Sequence, residues 1–372
     1  MTDQPTSHLD AFWQRLYRKQ SSLEQFGEHS FANTGITPDP DHHAWIAPLH
    51  QCGVVQVTGA DSETFLQGQL TIDVAQLAER ECGFAAHCDA KGRMHANFLL
   101  YRQSENRFWL QLPLSTAAIA CQSLAKYAVF SKVEVSDISS EVFCIGFAPQ
   151  DYIADLVREH DALARTDVLV WRHGLASLIL PRSACEELLA WQKQTGIAWQ
   201  GSARWQQLAI DAGIGFVEAE TSGEFIPQML NMDCLDGISF TKGCYTGQEI
   251  IARMKYRGNV KRRCFPFAAE FSDFEIGHEL RTQATIDLAS AVKPGASITG
   301  SEGKNCGLVV NAVTNSLGAC RGLAVIKLDH KPAPVPESAK DGPELSLAGV
   351  DESRKNPVPL TLNRPPYAIP IN

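Results

Sequence analysis

The spacing of apolar and polar residues divides this chain into three stretches of different character. Over residues 8–27, Leu9, Phe12, Trp13, Leu16, Tyr17 and Leu23 recur at roughly helical intervals. That predicts a helix packed on the body of the protein, or one offered to a partner. Residues 34–43, rich in Pro, Asp and His, read as a linker. Strand and helix patterns then alternate. Residues 54–58 predict a strand closed by Gly59, and Asp61 or Ser62 stands where a cap would start the helix carrying Phe65 and Leu66. Strands are predicted over 94–100, after a turn at 89–92, and over 107–112, 142–147 and 168–171. Helices are predicted over 117–127, 152–159 and 184–195. Such alternation is an α+β or α/β pattern.

From about residue 261 the pattern changes. Short apolar runs at 264–267, 296–299, 307–313 and 322–326, separated by Gly, Pro, Asn and Ser, predict a small all-β domain. Residues 330–358, rich in Pro, Ser, Lys and Asp, predict a flexible excursion, and 364–367 an extended end.

With 372 residues the chain can bury a sizeable core in two or three domains. Its net charge of −9 argues against nucleic-acid binding by overall charge, so any anion site must be local. The 11 cysteines are scattered, odd in number and without a C-x-x-C pair or zinc spacing. Reduced thiols and a cytoplasmic location are therefore expected, with no permanently bound metal. No basic region followed by an apolar run opens the chain, and the first 40 residues are too acidic and His-rich for a transit peptide. Nor is there an uncharged apolar stretch of about 18 residues, so no membrane association is expected.

Candidate chemistry concentrates in Lys242-Gly243-Cys244-Tyr245-Thr246-Gly247-Gln248-Glu249. Glycines at 243 and 247 permit a tight turn and close approach to a ligand. A cation beside Cys244 favours the thiolate, the reactive form, and a helix starting over 245–253 would add positive charge at its N-terminal end. The plainer reading is a buried cysteine in a turn. Seven cations, Lys242, Arg253, Lys255, Arg257, Lys261, Arg262 and Arg263, lie between residues 242 and 263 against the single acid Glu249, a net of +6 on an acidic chain. This is either a solvated basic surface or a landing site for a glutamate tail, a phosphate or an RNA backbone. Upstream, Trp205 and Asp211 pair a large aromatic with a carboxylate, which suits a flat heterocycle with N–H groups, although a lone tryptophan also suits a core.

The run Lys242 to Glu249 resembles the signature of the YgfZ family, folate-binding proteins related to the glycine-cleavage aminomethyltransferase. Further blocks resemble the family in its order: Gly59-Ala60-Asp61-Ser62 with Gln67-Gly68-Gln69, then Ala86-His87-Cys88-Asp89-Ala90-Lys91-Gly92-Arg93. Residues 126–133, 222–228 and 238–240 supply three more. The resemblance implies an α+β, aminomethyltransferase-like fold: two intertwined α+β domains around a central channel for tetrahydrofolate, and a C-terminal β-barrel. On this chain that gives an N-terminal helical extension and linker at 1–43, α+β domains at 44–145 and 146–260, and a barrel at 261–372 with the excursion at 330–358. It further implies a protein that binds tetrahydrofolate or a one-carbon derivative and supports iron–sulfur cluster assembly or repair and tRNA methylthiolation. Its partners would be folate, iron–sulfur enzymes or assembly factors including a tRNA methylthiotransferase, and tRNA itself through 242–263.

By the same resemblance Cys244 matches the family's functional cysteine, as a nucleophile, a redox thiol or a transient cluster ligand. Trp205 matches a folate-site tryptophan. Asp211 stands where relatives place a glutamate that reads the pterin. Lys242, Tyr245, Gln248, Glu249 and Arg253 are the remaining candidate folate contacts. Two departures matter. Cys52 replaces a second folate-site tryptophan of some relatives, and Ala96 and Asn97 stand where the aminomethyltransferases carry their catalytic aspartate. Without that carboxylate the alternative function, a folate-dependent one-carbon transferase, loses its main electrostatic and acid–base group.

Overall fold

In the computed structural model, the described residues are 44–149, 154, 157, 163, 166–170, 175–270, 292–300, 303–314, 319–328, 345–347 and 358–370. The helix expected over 8–27, the linker at 34–43 and most of the helix expected over 152–159 lie outside them. The chain divides into two compact units. Unit 1 is Met1–Gly68, Asp73–Gly83 and Phe98–Trp205; unit 2 is Gln69–Ile72, Phe84–Asn97 and Gln206–Asn372.

Unit 1 and the strands it shares with unit 2 contain β1 (Trp45–Pro48), β2 (Cys52–Thr58), α1 (Ser62–Gln69), β3 (Cys82–Cys88), β4 (Met94–Ser104), β5 (Arg107–Pro113), α2 (Leu114–Ala128), β6 (Glu134–Asp137), β7 (Val142–Ala148), β8 (Asp167–Val170), β9 (Ala176–Pro181), α3 (Cys185–Thr195), β10 (Ala198–Trp199) and α4 (Ser202–Asp211). One five-stranded sheet has the order β10-β1-β7-β9-β8, the other β3-β4-β5-β2-β6. The interior of β7 and nearly all of β9 are buried continuously, as expected of strands covered on both faces, and their Ile145, Phe147, Leu178 and Leu180 meet Trp191 of α3 in one core. Helix α2 forms because Ala117, Ala120 and Leu124 recur on one face while Lys126 sits in the last turn, where a cation suits the helix dipole. Asp61 stands just before α1, but its carboxylate accepts the Lys132 backbone N–H at 2.8 Å, so it ties the helix start to a distant loop.

Unit 2 ends in β11 (Arg262–Glu270), β12 (Ser297–Gly300), β13 (Asn305–Thr314), β14 (Ala319–Lys327), β15 (Leu345–Leu347) and β16 (Val358–Leu362), closed as a barrel in the order β11-β14-β13-β12-β15-β16. Closure by β16 on β11, with Phe267 opposite Leu362, leaves no free edge. The all-β change near residue 261 is thus a six-stranded barrel around Phe265, Phe267, Ile298, Val309, Ile326 and Leu347. The flexible excursion expected over 330–358 needs correction at Leu345–Leu347. Leu345 and Leu347 alternate with Ser346, point into the barrel core and pair with both β12 and β16. Two leucines in a Pro- and Ser-rich stretch are too short a period to predict a strand without its partners.

Candidate functional site

The signature turn is built within unit 2 on a short strut, Gln69 to Ile72. Thr71 donates from Oγ1 to the Gly237 carbonyl at 2.6 Å, accepts the Ala86 N–H at 2.9 Å, and offers its own carbonyl to the Ser239 N–H at 2.8 Å. Lys242 is buried, and its Nζ donates to the carbonyls of Leu70 at 2.9 Å and Ile72 at 2.7 Å. The same ammonium lies 5.1 Å from the centroid of the Tyr245 ring. Thr246 Oγ1 and Gln69 Oε1 meet at 3.2 Å. The ammonium expected beside the Cys244 thiol is therefore turned inward, onto two carbonyls and a ring.

Behind the cysteine the turn is fixed by Gly247. Its φ is +85°, and a Cβ there would meet the Asp89 carbonyl oxygen at 2.6 Å. That carbonyl belongs to a tight turn in which the Asp89 carboxylate accepts the N–H groups of Lys91 and Arg93, each at 2.8 Å. Gly247 also caps α5 (Gln248–Tyr256), which starts three residues later than the expected 245–253 because a left-handed residue cannot sit inside a helix. Gln228 Nε2 holds α5 by donating to the Ile251 carbonyl at 2.7 Å.

Between these anchors Gly243 and Cys244 are exposed, and a Cβ on Gly243 would meet nothing within 4 Å. Of the cysteines whose side chains are described, Cys244 alone is exposed. The others are buried or half-buried: burial pushes the thiols of Cys82, Cys144, Cys264 and Cys320 up to about 12 and that of Cys234 to about 11. Tyr245 is buried, and its hydroxyl is raised above the ordinary tyrosine range by that burial, with Cys88 adding to it. Gln248 is half-buried as the first residue of α5, while Glu249 and Arg253 are exposed and pair at 3.1 Å.

The other candidates stand on other elements. Trp205, in unit 1, is 5% exposed; its Nε1–H donates to the Ala176 carbonyl at 3.1 Å, and its ring packs so closely on Gly146 that a Cβ there would stand 2.3 Å from Cδ1. Asp211, in unit 2, is half-buried at the end of α4 and lies 3.5 Å from Arg321 Nη1. Cys52 is half-buried at the start of β2. Ala96 and Asn97 are fully buried, and both ends of the Asn97 amide are used: Nδ2 donates to the Gly215 carbonyl at 2.8 Å and Oδ1 accepts the Val217 N–H at 2.7 Å. Of the basic window, Arg263 is also buried, bonded through two nitrogens to Asp233 at 2.6 and 3.0 Å and to the Gln228 carbonyl at 2.8 Å. Among the described residues no group of three or more His, Cys, Asp or Glu is set to hold a metal ion, and no helix is long and apolar enough to cross a membrane.

Sequence reasoning missed the strut, although the Gln67-Gly68-Gln69 block pointed to its first residue. It also missed a tilted ring pair, His87 and His95, with centroids 5.4 Å apart and planes at 37°. His87 is fully buried, its Nδ1 is 3.3 Å from the Gln69 carbonyl, and burial lowers it from 6.5 to about 4.

Known proteins place this architecture. The glycine cleavage system aminomethyltransferase T of Bartonella henselae superposes with a TM-score of 0.59 over 87% of this chain and 86% of its own, at 15% identity, a likeness of fold. Residues 41–150 match the model of the GCVT N-terminal domain. The protein is thus of the aminomethyltransferase fold class. The tRNA-modifying protein YgfZ of Escherichia coli (strain K12) is 36% identical over 266 residues, 66% of this chain and 81% of the relative, and that of Shigella flexneri matches to the same extent. The chain belongs to the YgfZ family.

Proposed function

We propose that this protein binds tetrahydrofolate or a one-carbon derivative and supports tRNA modification, methylthiolation in particular, by sustaining the iron–sulfur enzymes that carry it out. The tRNA link is supported by the name its relatives carry, and the folate by the fold. The observation that carries the site is Cys244: an exposed thiol on a turn held at both ends, where the other cysteines with described side chains are buried or half-buried. Folate, when bound, supplies one-carbon chemistry. The chemistry of Asp211 fits the group, since a half-buried carboxylate can accept pterin N–H groups. Trp205 offers at most a ring face, its N–H being used on Ala176. Lys242 and Tyr245 act by holding the turn, Gln248 and Glu249 open the helix behind it, and Arg253 in its last turn pairs back to Glu249. The alternative, a one-carbon transferase, asks for a carboxylate where Asn97 spends its amide on two backbone groups.

The test is Cys244→Ala. The variant should fold and bind tetrahydrofolate like the parent, measured by equilibrium dialysis. Cells relying on it should lose the methylthio modification in tRNA nucleosides analysed by mass spectrometry. Full methylthiolation would reject the role of the thiol, and absence of folate binding by the parent would reject the cofactor.

A further inference from the structure

The basic window is not one surface. Lys242 and Arg263 are buried and spent on Leu70, Ile72, Gln228 and Asp233. Arg253 shares its charge with Glu249. Four cations remain exposed: Lys255 and Arg257 around the end of α5, and Lys261 and Arg262 where the chain runs into β11. None of the four forms an ion pair with an acid among the described residues.

Aromatic rings stand beside Lys255. Lys255 Nζ lies 5.2 Å from the centroid of the Phe240 ring, and Phe240 meets Tyr256 edge to face at 6.1 Å. Tyr256 is 68% exposed. So large an exposed ring contributes little to the core, yet the edge-to-face contact fixes its plane. An exposed ring beside Lys255, on a stretch whose exposed cations pair with no acid among the described residues, matches a π-faced ligand that carries its own negative charges. A nucleotide chain has both properties, and an acidic peptide has only the second.

We propose that this face binds unpaired nucleotides of RNA, one base stacking on Tyr256 while Lys255, Arg257, Lys261 and Arg262 hold the flanking phosphates. The inference rests on the tRNA reading above and names the part of the RNA that is touched. Only an unpaired base can lay its face on a ring, because in an A-form duplex the bases are stacked on each other and the deep major groove is closed to side chains. The partner is therefore a loop or an end, not a stem.

The experiment uses the full chain and a short oligouridylate, labelled for anisotropy or carrying one 2-aminopurine, beside the same strand in a duplex. The single strand should bind more tightly than the duplex, and 2-aminopurine fluorescence should be quenched on binding. Affinity should fall with salt with a log–log slope of about −3, from four phosphates at ~0.7 each. Tyr256→Ala should weaken binding about tenfold and remove the quenching with the salt slope unchanged, and Tyr256→Phe should restore both. Lys261→Gln with Arg262→Gln should flatten the slope by about 1.4 and keep the quenching. Equal duplex binding, no quenching, a flat salt dependence, or full affinity in Tyr256→Ala would each overturn the proposal. So would a Tyr256→Ala protein that loses tRNA methylthiolation in cells while binding RNA normally, since the face would then serve a protein partner. Tetrahydrofolate dialysis and the Cys244→Ala phenotype are read separately. RNA binding that fails while those two hold sinks this inference alone, and the converse sinks only the proposed function.

Discussion

Replacing Lys242 by Met should unfasten the signature turn without unfolding the protein. The lysine donates to two carbonyls two residues apart on one strut, at 2.9 and 2.7 Å, and shares its charge with the Tyr245 ring. Hydrogen bonds from charged groups are worth about 1.5–3 kcal/mol each, and both carbonyls would be left buried without this donor. Relief from burying an ammonium offsets part of that loss. The methionine keeps the stem packing. We expect a net local cost of about 2–3 kcal/mol, confined to the strut and the turn.

The choice of assay follows from the sequence. All seven tryptophans fall within the ranges of unit 1, so unit 2 has no indole of its own to report the change. Hydrogen exchange read by mass spectrometry resolves it. Peptides covering 69–72 and 239–247 should exchange about 30- to 150-fold faster in Lys242→Met, the kinetic equivalent of 2–3 kcal/mol. Barrel peptides should be unchanged. Exchange within about threefold of the parent over the strut would refute the reasoning, and so would equal acceleration across the whole of unit 2.

Three other outcomes follow from the same unit. His87 is held near 4 by burial against an ordinary 6.5, so the unfolded chain takes a proton near 6.5 that the native state refuses until about 4. Stability is then complete above pH 6.5 and falls as pH drops from there to 4, by about 1.4 kcal/mol per pH unit and about 3 kcal/mol in all. His87→Gln should flatten that stretch of the urea-midpoint profile followed by circular dichroism, and an identical profile would rule the histidine out. Arg263→Met should cost about 3–5 kcal/mol by stranding the Asp233 carboxylate, and adding Asp233→Leu should recover most of it in urea melts. Gly247→Ala should lower the melting temperature through a left-handed backbone worth about 1–2 kcal/mol plus the clash with Asp89, whereas Gly243→Ala, with nothing within 4 Å, should melt like the parent; equal shifts would contradict the geometry.

What could be read from the chain depended on how local each signal was. Strands such as β2, β5 and β7 and helices α2 and α3 announce themselves because their apolar spacing is set by their own residues. The start of α5 was misplaced because the residue that stops the helix, Gly247, reveals its left-handed conformation only against the Asp89 turn. Lys242 looked like a cation beside a thiol. Its true partners lie 170 and 172 residues upstream, and no window on the sequence connects them. The basic window likewise divides into buried and exposed halves only once Asp233, thirty residues before Arg263, is brought against it. Residues that choose a neighbour in space are the ones a linear reading places wrongly, and here they are the residues that hold the signature turn.

The same geometry constrains what Cys244 can do. A cluster needs several thiolates, and the turn supplies one. Cys234, ten residues away, is half-buried beside Asp233 with its thiol pushed up to about 11, first by burial and then by that carboxylate, so it resists the deprotonation that ligation requires. Cys88 is fully covered, and burial raises its thiol further still. Cys244 stands exposed on a turn held between a buried lysine and a left-handed glycine. That arrangement suits a thiol that meets a sulfur, an iron or an electrophile brought to it, with the remaining ligands supplied by the molecule that brings it.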